Sequence, residues 1–285
     1  LLAMQEYDSI IDQAAALGAK TLIICGNGEP FLSKKVVGVI NKSHLKGMSV
    51  IIFTNGSVFG DSALCQGTHG MSSVDLLKMI SQKNVSLMVK CESISSNTYR
   101  AITKYSFDIF VNAVENICEF FRTTDNDGKN YTTNVGISTV VMKDNFDEIP
   151  QIAQFANERG FQFVCKFPSL MGSAVNHTDY FFAPQDATEK FDKTLAYVDK
   201  RETMLIDQKY CVINQLGLSI DNTGYPLFCL SSRRIEESEP RINTRNTSLD
   251  KIATLRKEKS PTVEGDCPKK SQWYSFKKVG GDRLL

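Results

Sequence analysis

The chain has 285 residues, 42% of them hydrophobic, enough for one large core or two smaller ones. Its formal net charge is +1, so no charge excess favours nucleic acid or an acidic partner, and the short basic stretch Arg256–Lys259, interrupted by Glu258, reads as a solvated helix face. No apolar run reaches the roughly 18 residues of a membrane-spanning helix, the first residues do not read as a signal peptide, and eight cysteines without a Cys-x-x-Cys pair point to a reducing cytoplasm with free thiols or metal ligands.

In chain order, Leu2, Ala3, Tyr7, Ile10, Ile11, Ala14, Ala15 and Leu17 recur at helical spacing before Gly18. Thr21–Cys25 is a short apolar run, predicted as a buried strand. A helix is predicted over Ser33–Lys46, a second strand over Met48–Phe53, and a loop over the glycine-containing stretch Ser57–Met71. Ser73–Ser81 reads as a helix and Asn84–Lys90 as a third strand. Asp108–Arg122 carries a helical apolar face, and Thr123–Asn130 is a turn cluster. Val135–Met142 is the fourth strand. Asn145 with Glu148 resembles a capping box for a helix running to Arg159, and Phe161–Phe167 is the fifth strand. Strands alternating with helices argue for a parallel sheet or barrel of βα units. After about Glu202 the pattern changes to a β-type segment with turns, Cys211–Cys229, then a short helix near Ser248–Lys257.

In parallel βα folds, ligands gather at the carboxyl ends of the strands. The first strand ends in Gly26-Asn27-Gly28-Glu29-Pro30, the second in Thr54-Asn55-Gly56, and the third in Lys90-Cys91-Glu92-Ser93. Glycines admit a ligand close to the backbone, and a carboxylate accepts hydrogen bonds from an ammonium or hydroxyl. An ordinary strand-to-helix turn would also use these residue types. A Lys90–Glu92 ion pair at the rim is the structural reading of those two.

Taken in order, these motifs, with Val140–Ile149 and Gly172-Ser173-Ala174, resemble the radical S-adenosylmethionine (SAM) superfamily over nearly residues 1–175. The resemblance implies a partial (β/α)6 TIM-like barrel, an α/β fold. It implies that SAM is held by Gly26, Asn27, Gly28, Glu29 and Pro30, with Thr54, Asn55, Lys90, Glu92 and Ser93. A catalytic [4Fe–4S] cluster would pass an electron to SAM, and the resulting 5′-deoxyadenosyl radical would abstract hydrogen from a small-molecule, peptide or protein substrate. A reductant such as ferredoxin or flavodoxin would be a partner, and the enzyme would be a cytoplasmic oxidoreductase. The chain departs from the family in lacking Cys-x3-Cys-x2-Cys. Its five strands correspond to the family's second to sixth, so the first strand and the catalytic cluster's ligands are expected upstream of residue 1, or else have been lost.

Cys211, twelve residues, Gly224, four residues and Cys229 resemble the opening of a SPASM or twitch domain, which implies an auxiliary iron–sulfur cluster ligated by Cys211, Cys229 and Cys267. A zinc site from the same thiols, or free thiols, would fit the same positions. The expected domains are 1–202, the barrel, and 203–285, a small α+β cluster module. Two other readings stay open. One is a binding protein that keeps the barrel without the cluster. The other is an unrelated barrel enzyme with Glu29 or Glu92 as general acid or base.

Overall fold

The computed structural model describes residues 1–25, 28–124, 130–132, 134–166, 176–182, 217–227 and 242–258, together with Asp186, Glu189, Lys190 and Lys193. Strands β1 (Thr21–Ile24), β2 (Ser49–Thr54) and β3 (Val85–Lys90) fall where short β-branched runs are bounded by Gly or polar residues. A short hairpin follows, β4 (Arg122–Thr124) and β5 (Asn130–Thr132), in the predicted turn cluster. β6 (Val135–Val140) and β7 (Gln162–Lys166) complete a parallel sheet in the order β1-β2-β3-β6-β7.

Along β2 and β3, every second residue is fully buried while its neighbours stay half-buried. The buried set (Val50, Ile52, Leu87, Val89, Ile137, Phe163) joins one core with residues of α2 (Lys35–Leu45), α5 (Ser73–Ser81), α7 (Phe107–Phe121) and α8 (Ile149–Glu158). The side-chain period of two therefore divides the sheet into a helix-packed face and a half-open face. On the half-open face, register aligns Ile51 with Ser86, Phe53 with Met88, and Lys90 with Ser138 and Val164.

Two expectations are corrected, and one helix is added. Ser57–Met71 is not loop but two short helices, α3 (Ser57–Gly60) and α4 (Ser62–His69). Asp61 caps α4 by accepting from the Leu64 amide at 3.0 Å, and Val58, Phe59 and Cys65 are buried. Gly60 is present for contact rather than as a breaker: a Cβ there would lie 1.9 Å from the Ile109 carbonyl oxygen of α7. A helix not read from the sequence, α6 (Ser96–Thr103), follows β3. The Asn145/Glu148 capping box also does not form, since α8 starts only at Ile149, after a 3₁₀ segment Lys143–Glu148. Asn145 instead joins strand ends, and Glu148 accepts from Ser93 and the loop amides beyond it.

The chain divides into two units, the βα sheet (Thr21–Ile40 and Ser49–Lys200) and a second unit of Leu1–Lys20, Asn41–Met48 and Arg201–Leu285. In the latter, α1 (Met4–Ala16) meets the hairpin β8 (Ser219–Ile220) and β9 (Pro226–Leu227) and helix α9 (Leu249–Glu258). Ile242, Leu249 and Ile252 form its core with Ile10, Ala14, Leu218, Ile220 and Leu255. The Leu2 amide donates to the Asn222 carbonyl at 2.9 Å, and the Leu249 amide donates to Gln13 at 2.9 Å. Arg245 pairs with Glu6. Arg256, expected on a solvated face, is 1% exposed and donates to the Gly217 carbonyl. Its long stem closes the small core while its guanidinium reaches backbone.

Candidate functional site at the strand ends

Glu29 leaves β1 through Gly28, whose φ of +106° is a left-handed conformation that favours glycine. This turn swings the carboxylate over the end of β2. Oε1 accepts from the Phe31 amide at 3.1 Å and the Thr54 hydroxyl at 2.7 Å, and Oε2 accepts from the Asn55 amide at 2.6 Å. Pro30 opens the 3₁₀ turn that Glu29 caps. Burial pushes the Glu29 pKa up, opposed by these donors and by the nearby Lys90 ammonium. With one donor on Oε2 among the described residues, the carboxylate keeps acceptor capacity for a further N–H or O–H.

Glu92 stands beyond the end of β3. Its Oε2 accepts from the Val140 amide at 2.7 Å, and burial pushes its pKa up to about 7 against the pull of Val140, Lys166 and Lys90. Asn145, fully buried, fixes the backbone here. Its amide group donates to the Glu92 carbonyl at 2.7 Å and the Val140 carbonyl at 2.9 Å, and its oxygen accepts from the Met142 amide at 2.8 Å. Lys166, at the end of β7, lies 5.5 Å from the Phe53 ring centroid, and burial lowers its pKa, with Glu92 opposing. Burial pushes the Cys25 thiol up, with the charges of Lys166 and Lys90 opposing.

Of the residues expected at the site, Glu29, Thr54 and Asn55 are thus directly bonded, and Lys90 lies close enough to act on both Glu29 and Glu92. Ser93 is fully buried and gives its hydroxyl to Glu148 at 2.5 Å, so it shapes the loop after β3. Gly26, Asn27, the Gly172-Ser173-Ala174 motif, Cys211, Cys229 and Cys267 lie outside the described residues. No group of three or more metal-ligating side chains occurs among the described residues. Cys25, Phe53 and Lys166 were missed as members. For Phe53 and Lys166 the signal was available, since each sits near the end of its strand on the parity that places Lys90 there.

No family model and no curated protein matches the chain. Among solved structures, it is similar in fold to SuiB of Streptococcus suis. The SuiB structure bound to S-adenosylmethionine superposes with a TM-score of 0.60 at 14% identity, covering 88% of this chain and 58% of SuiB. The structure bound to the precursor peptide SuiA gives 0.62 at 13% identity over the same shares. The α/β arrangement of the five-stranded parallel sheet is therefore one that SuiB also uses. The chain spans less than two thirds of the SuiB length.

Proposed function

We propose that the chain is the SAM-binding part of a radical SAM enzyme acting on a peptide or other unidentified substrate. The observation that carries this reading is Glu29. A Gly-Glu-Pro turn at the end of β1 presents a carboxylate, already anchored to β2, with acceptor capacity left over. The SuiB likeness supports it, because that fold was crystallised with SAM and with a peptide.

The residues fit the methionine end of SAM. Glu29 would accept from its ammonium, and Lys90 would face its carboxylate. Glu92, at the next strand end, would accept from the ribose hydroxyls, and Gly28 would allow close backbone approach. When bound and reduced, SAM supplies the radical that abstracts hydrogen. This chain's own groups bind it, orient it and exclude water.

The half-exposed Ile23, on the edge strand β1, supports a further strand running alongside it, as a six-stranded barrel requires. A cluster-binding segment would accompany that strand. The turn at Asp221, whose carboxylate accepts from the Thr223 amide at 2.8 Å and the Tyr225 amide at 3.0 Å, reverses the chain between Cys211 and Cys229. The proposal extends to a cluster module from about residue 203 with Cys211, Cys229 and Cys267 as ligands, in which this turn would bring the first two thiolates toward each other.

The test is equilibrium binding of SAM to this chain and to Glu29→Gln. SAM binding that falls at least about tenfold in the variant supports the reading, and no saturable SAM binding overturns it. Anaerobic reconstitution addresses the module. About one cluster per chain, lost when Cys211, Cys229 and Cys267 become serine, is expected. SAM binding without iron in either the chain or its longer forms would favour a non-catalytic binding protein.

A further inference from the structure

The turn that carries Glu29 ends on a buried carbonyl. Pro30–Leu32 is a single 3₁₀ turn, in which the Leu32 amide donates to the Glu29 carbonyl at 3.2 Å and the Ser33 amide to the Pro30 carbonyl at 3.0 Å. Ser33 is extended, with ψ of 122°, so the backbone leaves the turn there and the Phe31 carbonyl needs a donor from elsewhere. Phe31 is fully buried, so water does not supply one. His69, the last residue of α4, does: its Nε2 lies 2.6 Å from the Phe31 oxygen. A carbonyl only accepts, so Nε2 carries the proton.

Phe31 is thereby held at both ends of its backbone and by its ring. Its amide donates to Glu29 Oε1 at 3.1 Å, and its ring meets that of Phe59 in α3 edge-on, with centroids 4.6 Å apart. Phe59 is fixed in turn, since its carbonyl accepts from Asn116 of α7 at 2.8 Å. Glu29 Oε1, which takes the Phe31 amide, also takes the Thr54 hydroxyl. The carboxylate therefore stands between β2 on one side and, through Phe31, α3 and α4 on the other. Without the His69 donor, a buried carbonyl would be left unpaired, which folded proteins avoid. The turn relieves this by shifting toward water, and the Phe31 amide leaves Oε1 as it goes.

We propose that His69 is a positioning residue for Glu29: by donating from Nε2 to the Phe31 carbonyl, it holds the Pro30–Leu32 turn where Glu29 faces the ligand. The ligand's identity as SAM rests on the reading above, while the hold on the turn does not. The stretch Ser57–Met71 thus acts on the strand-end site through one side chain, brought 38 residues along the chain by the α3–α4 fold.

The test compares His69→Leu, which removes the donor, with His69→Gln, which keeps an N–H at a similar reach. Three readouts are taken on the full chain. Nitrogen-15 NMR of the imidazole should show a proton on Nε2 at neutral pH. Exchange of the Phe31 amide should quicken at least about tenfold in His69→Leu and stay within about twofold of the parent in His69→Gln. SAM affinity should fall at least about fivefold in His69→Leu and return to within about twofold in His69→Gln. Ile152→Val, a fully buried change in α8, serves as the stability control: it should lower the unfolding midpoint and leave both the exchange and the affinity unchanged. A bare Nε2, parent-like Phe31 exchange in His69→Leu, or a His69→Gln variant no better than His69→Leu overturns the proposal. So does SAM affinity that tracks the midpoint alone across all three variants. A parent chain that binds no SAM discards the SAM reading, and Phe31 exchange then decides by itself whether His69 holds the Glu29 turn.

Discussion

The Thr54 hydroxyl donates to Glu29 Oε1 across 2.7 Å and accepts from the Gly56 amide at 3.0 Å, so one fully buried side chain ties the turn after β1 to the end of β2. Thr54→Val keeps the shape and removes both bonds. It should destabilise the fold by about 1–3 kcal/mol, because the Gly56 amide and Glu29 each lose a buried partner. Thr54→Ser should cost far less. Urea unfolding of the two variants checks this, and equal midpoints would refute the role assigned to the hydroxyl.

Glu92 makes stability depend on pH. In the unfolded chain it ionises near its ordinary 4.5, and in the fold it holds its proton to about 7. Between these values the native state binds more protons, so its stability falls as pH rises through this window, by at most about 3 kcal/mol. Glu92→Gln cannot ionise and still offers an oxygen to the Val140 amide. Its advantage over the parent chain should therefore be absent at about pH 4, open as pH rises from 4.5 to 7, and persist at about pH 8. Denaturation across this range would show parallel profiles if the carboxylate were unperturbed.

Asn145 joins β3 to β6 at the site through bonds to the Glu92 carbonyl, the Val140 carbonyl and the Met142 amide. Asn145→Leu strands three buried backbone groups and should cost about 3 kcal/mol or more. It should also weaken SAM binding beyond what Glu29→Gln alone produces, since the Glu92 backbone loses its position. Unaltered stability would mean that these backbone groups find other partners.

Two glycines should respond in opposite directions. Gly60→Ala drives a methyl against the Ile109 carbonyl of α7 and should cost about 1–3 kcal/mol. Gly67, inside α4, has open space where a Cβ would stand, with nothing within 4 Å, so Gly67→Ala should stabilise by about 0.5–1 kcal/mol. Thermal melts of both would distinguish contact from propensity.

The sequence by itself determined the five parallel strands to within two residues at either end, because runs such as Ser49–Thr54 and Val85–Lys90 bury one face and stop at polar or glycine turns. It also located Glu29, Thr54 and Asn55, because chemistry-bearing residues at the carboxyl end of a strand are local in sequence. Tertiary structure alone decided the rest. Gly60 reads as loop until α7 packs against it, since a glycine's role depends on what approaches it. Asn145 and Glu148 read as a helix cap until strand ends more than 50 residues away take their bonds. Arg256 reads as solvated until the Gly217 carbonyl meets it. Lys166 joins Phe53, Lys90 and Glu92 only because parallel register aligns β7 with β6 and β3. Periodicity and turn chemistry act over a few residues, whereas partners for a buried polar group come from anywhere the fold brings them.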